Sequence, residues 1–203
     1  MVNETRAPDG ALVALEAEPA TPEHARDAED AGLELVREVL QLRRPLPAAD
    51  PAPIELRAFV PGSDDAAFLA VNNRAFAWHP DQGGWTETEL AERMAEPWFD
   101  PSGFLLHERD GRLAGFCWTK VHPATADDPE LGEIFVIAVD PDFHGTGLGR
   151  ALTLAGLHHM ASAGVRTGML HVEGTNVAAR HLYDDLGFEQ HSAHRWWARP
   201  EPR

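Results

Sequence analysis

The chain has 203 residues, enough for one domain with a full core plus a tail. Its 33 acidic and 17 basic residues give a formal net charge of -16, which repels nucleic acid and anionic membranes and gives no broad basic field to a polyanionic ligand. No apolar run approaches the roughly 20 residues that span a bilayer. No basic stretch followed by an apolar one opens the chain, and the single cysteine, Cys117, allows no internal disulfide framework, so a cytoplasmic location is expected.

Residues 1–31 are rich in Ala, Pro and acids, and this composition predicts a flexible acidic tail. Residues 33–44 fit a strand or a short helix equally well. Pro45, Pro47, Pro51 and Pro53 mark a linker, so 32–53 is set apart from a main domain at 54–199. Ile54–Phe59 alternates and reads as a first strand. Asp64 or Asp65 is placed to cap a helix running through Asn73. An irregular stretch at 77–86 leads to a second helix at 87–94. Residues 104–108 and 113–120 form a hairpin, with Asp110-Gly111 as its turn. A strand at 133–140, a helix at 147–162 ending near Gly164, a strand at 169–173, a helix at 176–186 and a strand at 188–198 follow. A meander followed by a βαβ unit predicts an α/β (α+β) fold, a mixed central sheet of about six to seven strands flanked by helices.

The strand-turn-helix at 133–162 carries the strongest motif. His144-Gly145-Thr146-Gly147-Leu148-Gly149-Arg150 follows a buried-strand pattern and runs into a helix. Glycines at alternate positions let the backbone approach a ligand and turn successive N–H groups into one concavity. The helix N-terminus adds unpaired donors, so the unit suits a pyrophosphate. A dinucleotide fingerprint needs glycine where Arg150 stands, and a nucleotide P-loop needs Gly-Lys-Ser/Thr, which is missing. A plain structural turn is the remaining alternative from the glycines alone.

Val139-Asp140-Pro141 followed by His-Gly-Thr-Gly-Leu-Gly-Arg resembles the acetyl-CoA motif of the GNAT superfamily of N-acetyltransferases. Asn176-Val177-Ala178-Ala179-Arg180-His181-Leu182-Tyr183-Asp184-Asp185-Leu186-Gly187-Phe188 is similar to the last helix of that superfamily. Within it, the strings Asn72–Thr86, Glu96–Pro101 and Trp118–His122 look like the mycothiol synthase family, with the likeness covering most of 54–190. That family has two tandem GNAT domains, of which the second is active. It transfers acetyl from acetyl-CoA to the cysteinyl amine of a glucosamine-inositol conjugate. Residues 32–47 resemble the closing piece of the first domain. The resemblance therefore implies a catalytic GNAT domain at 54–199 preceded by a remnant of another. The sequence departs from the family at His144 (usually Gln), Thr146 (basic), Asp81 (Glu) and His171 (Tyr).

Acetyl transfer to an amine needs a base for the amine proton and an acid for the leaving thiolate. Simple alternation puts Glu133, Phe135, Ile137 and Val139 on one face of their strand, where a carboxylate could take that proton or merely end a strand. Tyr183, the only tyrosine, lies two helical turns after Asn176, a natural N-cap. The resemblance makes Glu133 the base and Tyr183 the acid. It gives Ile137, Ala138, Val139, His144–Arg150, Asn176, Ala178, Ala179 and Arg180 to acetyl-CoA. It gives Asp81, Lys120, Glu133 and His171 to a small-molecule amine. Lys120 is the only lysine in the chain. Trp78, Trp85, Trp98 and Trp118 suit either a pocket or the core. His158-His159 and His191/His194 lack carboxylate or thiolate partners at a recognised spacing, so no metal site is expected. A homodimer is one way to cover the surface that a missing domain would have touched. An acetyltransferase for another amine, and an idle acyl-CoA-binding module, remain alternatives.

Overall fold

The computed structural model describes residues 1–79 and 82–200. Nine strands and five α-helices lie among the described residues. In chain order they are β1 Val2–Arg6, β2 Leu12–Ala17, α1 Pro22–Asp30, β3 Glu34–Pro45, β4 Arg57–Ala58, α2 Asp65–Ala75 and α3 Glu87–Met94. There follow β5 Phe104–Arg109, β6 Arg112–His122, β7 Leu131–Val139, α4 Leu148–Ser162, β8 Thr167–Glu173, α5 Val177–Asp185 and β9 Glu189–Ala198. The chain divides into two compact units, Met1–Arg44 with Met169–Arg203, and Pro45–Gly168.

In the first unit the strand order is β1-β2-β9-β3-β8. Strand β9 runs antiparallel to both β2 and β3, with Leu15 opposite Trp197 and Leu40 opposite Ala193. Leu15, Ala17, Ala28, Leu33 and Trp197 form its core. Residues 1–31 are thus two strands and a helix, not the expected flexible tail. Leu15 and Ala17 alternate inward along β2, and the average composition of the segment hides that alternation. Helix α1 starts at a capping box in which the Thr21 hydroxyl accepts the His24 N–H at 3.4 Å and the Thr21 N–H donates to His24 Nδ1 at 3.2 Å. These additions raise the strand count to nine, above the six or seven expected. The ambiguous segment 33–44 is a strand because β9 pairs along its length.

In the second unit β7-β6-β5-β4 are neighbours in that order, all antiparallel. Asp110 (φ 54°) and Gly111 (φ 72°) make the tight turn between β5 and β6, as their sequence predicts. Helix α2 sends Phe68 into an aromatic cluster with Phe59, Phe104, Phe116 and Trp118 on one face of the strands. Helix α4 lies so close on the other face that a β-carbon on Gly156 would stand 2.6 Å from Cys117 Sγ. The first strand of this unit is shorter than expected, since only Arg57 and Ala58 pair with β5.

Neither candidate cap of α2 acts as one, because both carboxylates are engaged elsewhere. Asp64 accepts two hydrogen bonds from Arg57, at 2.7 and 2.8 Å, and one from the Val60 N–H at 2.7 Å; Asp65 accepts from the Gly62 N–H at 2.8 Å. Hydrogen bonding to Arg57 holds the Asp64 carboxyl below the usual carboxylate range. A depressed folded-state pKa contributes stability that is present above the unfolded value and is lost as pH falls through the folded one. Asp64→Asn is therefore expected to lower stability near neutrality by about 1–3 kcal/mol, with the gap to wild type closing below about pH 4. Thermal melts across pH check this.

Candidate active site

Strand β7 does not alternate simply. Trp118 pairs with Val136 and its neighbour Thr119 pairs with Ile134, so Phe135 is an extra residue, a β-bulge. Phe135 lies on the Trp118 side, 5.4 Å between ring centroids, and so do Val136 and Ala138, which join the aromatic cluster. Ile137 pairs with Cys117 and Val139 with Gly115, both under α4. Glu133 pairs with Lys120, two residues from Trp118, and belongs to the aromatic side. The bulge therefore corrects the expected grouping: Glu133 and Phe135 share a face, while Ile137 and Val139 take the other.

On that first face β6 and β7 bring three polar side chains together. Glu133 is buried, and its Oε2 lies 2.7 Å from His122 Nε2. Lys120 stands opposite Glu133 in the strand register, and its Nζ lies 4.7 Å above the Trp98 ring and 5.6 Å from that of Phe135. A cation over these ring faces is attracted by their negative quadrupole. His122 had no role assigned from sequence; its place two residues after Lys120 on the same strand was the available signal. Asp81 lies outside the described residues. Of the four tryptophans that suit either a pocket or the core, Trp85 and Trp118 are core, Trp98 flanks Lys120, and Trp78 is 57% exposed. Trp118 Nε1 is buried with no hydrogen-bond partner.

The glycine turn sits between the end of β7 and α4. Gly145 (φ 74°) and Gly147 (φ 79°) both hold left-handed backbone, and a β-carbon at either would meet open space. That open space and the N-terminus of a 15-residue helix, with Gly147 in the N-cap position and no side chain capping it, leave amide donors for an anion. The residues present thus fit a pyrophosphate. His144 Nε2 lies 3.0 Å from the Val139 carbonyl, and the Thr146 hydroxyl donates to the Phe143 carbonyl at 2.8 Å. Leu148 is buried, the Gly149 carbonyl accepts from the Thr153 hydroxyl at 2.8 Å, and Arg150 pairs with Asp50 of the Pro-rich linker. Both His144 and Arg150 are engaged within the protein, which leaves the backbone amides as the turn's open donors. Gly147→Ala forces a side chain into left-handed backbone at about 1–2 kcal/mol. It should lower stability by that amount, as thermal melts would show.

The remaining predicted residues belong to the first unit. Asn176 caps α5 as expected, its Oδ1 accepting the Ala179 N–H at 3.2 Å. Ala178 is exposed beside it, and Arg180 donates to the Gly174 carbonyl at 2.9 Å. Tyr183 is buried with its ring edge-on to Phe188, centroids 5.7 Å apart. His171 is exposed and lies 3.3 Å from Gln41, ring nitrogen to amide nitrogen. Among the described residues no group of three His, Cys, Asp or Glu side chains is placed to hold a metal, and no helix is long and apolar enough to cross a membrane.

Residues 72–188 match the model of the acetyltransferase (GNAT) family. The chain belongs to that family. It is 53% identical over 172 residues to the mycothiol acetyltransferase of Rhodococcus jostii, which covers 80% of this chain and 56% of that protein. It is 52% identical over 166 residues to the mycothiol acetyltransferase of Streptomyces coelicolor, covering 79% and 52%. The chain thus spans about half the length of the curated relatives it matches. Among solved structures, a GCN5-related N-acetyltransferase from Sphaerobacter thermophilus aligns with TM-score 0.65 and 26% identity, over 88% of this chain and 56% of that one. A tandem GNAT protein from the clavulanic acid biosynthesis pathway aligns with TM-score 0.56 and 17% identity, over 100% of this chain and 64% of that one, a likeness of fold.

Proposed function

We propose that this chain transfers acetyl from acetyl-CoA to the cysteinyl amine of a cysteinyl-glucosamine-inositol conjugate, the last step of mycothiol synthesis. The observation that carries the reading is the buried Glu133 carboxylate with Lys120 opposite it and Trp98 alongside, on a bulged strand that leads into the glycine turn. The relatives named mycothiol acetyltransferase, at about half identity over most of the chain, supply the acceptor. On this reading residues 54–199 are the catalytic domain and 32–53 the remnant of a preceding one, and the reaction runs in the cytoplasm.

Acetyl-CoA supplies the activated acetyl group. The amides of 145–149 hold its phosphates, and backbone groups of Ile137–Val139 hold its extended arm. From Glu133 to Val139 is six residues, about 20 Å of strand, so the arm must run along β7 to bring the thioester towards the carboxylate. Asn176, Ala178, Ala179 and Arg180 add contacts from α5. Asp81, Lys120, Glu133 and His171 hold the amine substrate. Glu133 takes the amine proton and Tyr183 gives its phenolic proton to the departing thiolate. Positioning both substrates at once supplies much of the rate. Cys117, the only thiol, supports direct transfer over an acetyl-enzyme. It is fully buried and burial pushes its thiol up to about 12, so it cannot serve as a nucleophilic carrier.

Initial rates with both substrates varied, followed as free CoA thiol, test this. Turnover on the conjugate with intersecting double-reciprocal lines is expected. Parallel lines would replace direct transfer by a covalent carrier, and turnover only on other amines would replace the acceptor.

A further inference from the structure

A buried base must be emptied after every turnover. Glu133 takes a proton in each cycle on the proposed reading, yet only 10% of its side chain is exposed. Its Oε2 touches His122 Nε2 at 2.7 Å, and the His122 side chain is 33% exposed. His122 is the end residue of β6, opposite Leu131 at the start of β7, so its ring stands at the rim of these strands. The other charged group on this face of β6 is Lys120, a cation opposite Glu133. Trp98 and Phe135, which flank Lys120, do not titrate.

We propose that His122 is the proton exit of the site, a positioning residue that acts through Glu133 and not on the substrate. The step balances as follows. The amine nitrogen gives its proton to the Glu133 carboxylate as the new N–C bond forms. At rest His122 Nε2–H donates to the Glu133 carboxylate. Once Glu133 is protonated, exchange with water carries the imidazole to its Nδ1–H tautomer, and Oε2 passes its proton to the freed Nε2. The imidazolium then releases the Nδ1 proton to water, which leaves Nε2–H on the carboxylate as before. One proton moves from amine to solvent and both side chains return to their starting states. Imidazole is the side chain suited to this duty because it gains and loses a proton near neutral pH, at two separate atoms.

The inference rests on Glu133 being the base, and the test separates the two claims. Acetyl-CoA and the cysteinyl-glucosamine-inositol conjugate are used with wild type, His122→Ala, His122→Gln and Glu133→Gln, each checked for folding by thermal melting. Both His122 variants should lose about tenfold or more in kcat, with KM for the conjugate little changed. Added imidazole should restore His122→Ala, where it can occupy the vacated space. It should restore neither His122→Gln, whose amide keeps a hydrogen bond to Glu133 but cannot relay a proton, nor Glu133→Gln. Wild-type kcat in His122→Gln, or a loss in His122→Ala that imidazole does not restore, overturns the relay and leaves the base standing. Undiminished kcat in Glu133→Gln, or no turnover by wild type, overturns the base reading and the relay with it.

Discussion

Glu133→Gln is expected to lower kcat for the conjugate by about 10²–10⁴-fold, the usual worth of a positioned general base. The substitution keeps the shape of the side chain and a polar group beside His122, so the strands need not move. What it removes is the only atom pair on this side chain that can accept the amine proton. On the proposed reading acetyl-CoA is held by the glycine turn and the backbone of β7, so its binding should stay within about twofold in titration calorimetry, under about 0.5 kcal/mol. Joint loss of binding and turnover would instead make Glu133 a structural residue of β7. A kcat within threefold of wild type, under about 1 kcal/mol, would remove it from the chemistry.

Phe68→Ala is expected to cost about 3–5 kcal/mol of stability, the largest structural effect of any single truncation considered. The ring is fully buried. It stands edge-on to Phe104 at 5.1 Å and Phe116 at 4.8 Å between centroids, with Phe59, Trp85 and Trp118 at 6.1–6.2 Å. Edge-to-face contacts add to the area term, and the surrounding rings are too large to collapse into the vacated space. The same cluster supports Trp118 and, through Phe135 and Trp98, the surroundings of Lys120. Denaturant melts should therefore show a large fall in midpoint, and activity should fall with it. A change under about 1 kcal/mol would mean the cluster is less tightly packed than its geometry implies.

The helices and strands of 87–198 were legible in the sequence because their signals are local. Thr86 and Glu89 box the start of α3, Asp110-Gly111 turns the hairpin, and Asn176 caps α5. Three features were not legible, each because it depends on a partner that no local pattern names. Strand β2 and helix α1 lie in a segment of acidic average composition, and Leu15, Ala17 and Ala28 find their core against Trp197. Asp64 looks like a cap but is drawn off by Arg57, a pairing that no spacing rule encodes. The bulge at Phe135 shows only when β6 is laid against β7, and one extra residue reverses the face of everything beyond it. The site shares this pattern. Glu133 and the glycine turn stand out as candidates by motif and residue type, whereas the His122 contact and the Asp50–Arg150 pair arise from tertiary placement.

The most direct test of acetyl transfer to the conjugate is to follow the acetyl group itself. Acetyl-CoA carrying isotopically labelled acetyl is incubated with the protein and the conjugate, and the product is fragmented in a mass spectrometer. The label is expected on the cysteinyl nitrogen of the conjugate, in an amount equal to the free CoA released. Label elsewhere on the conjugate, or CoA release with no label on it, would contradict the account.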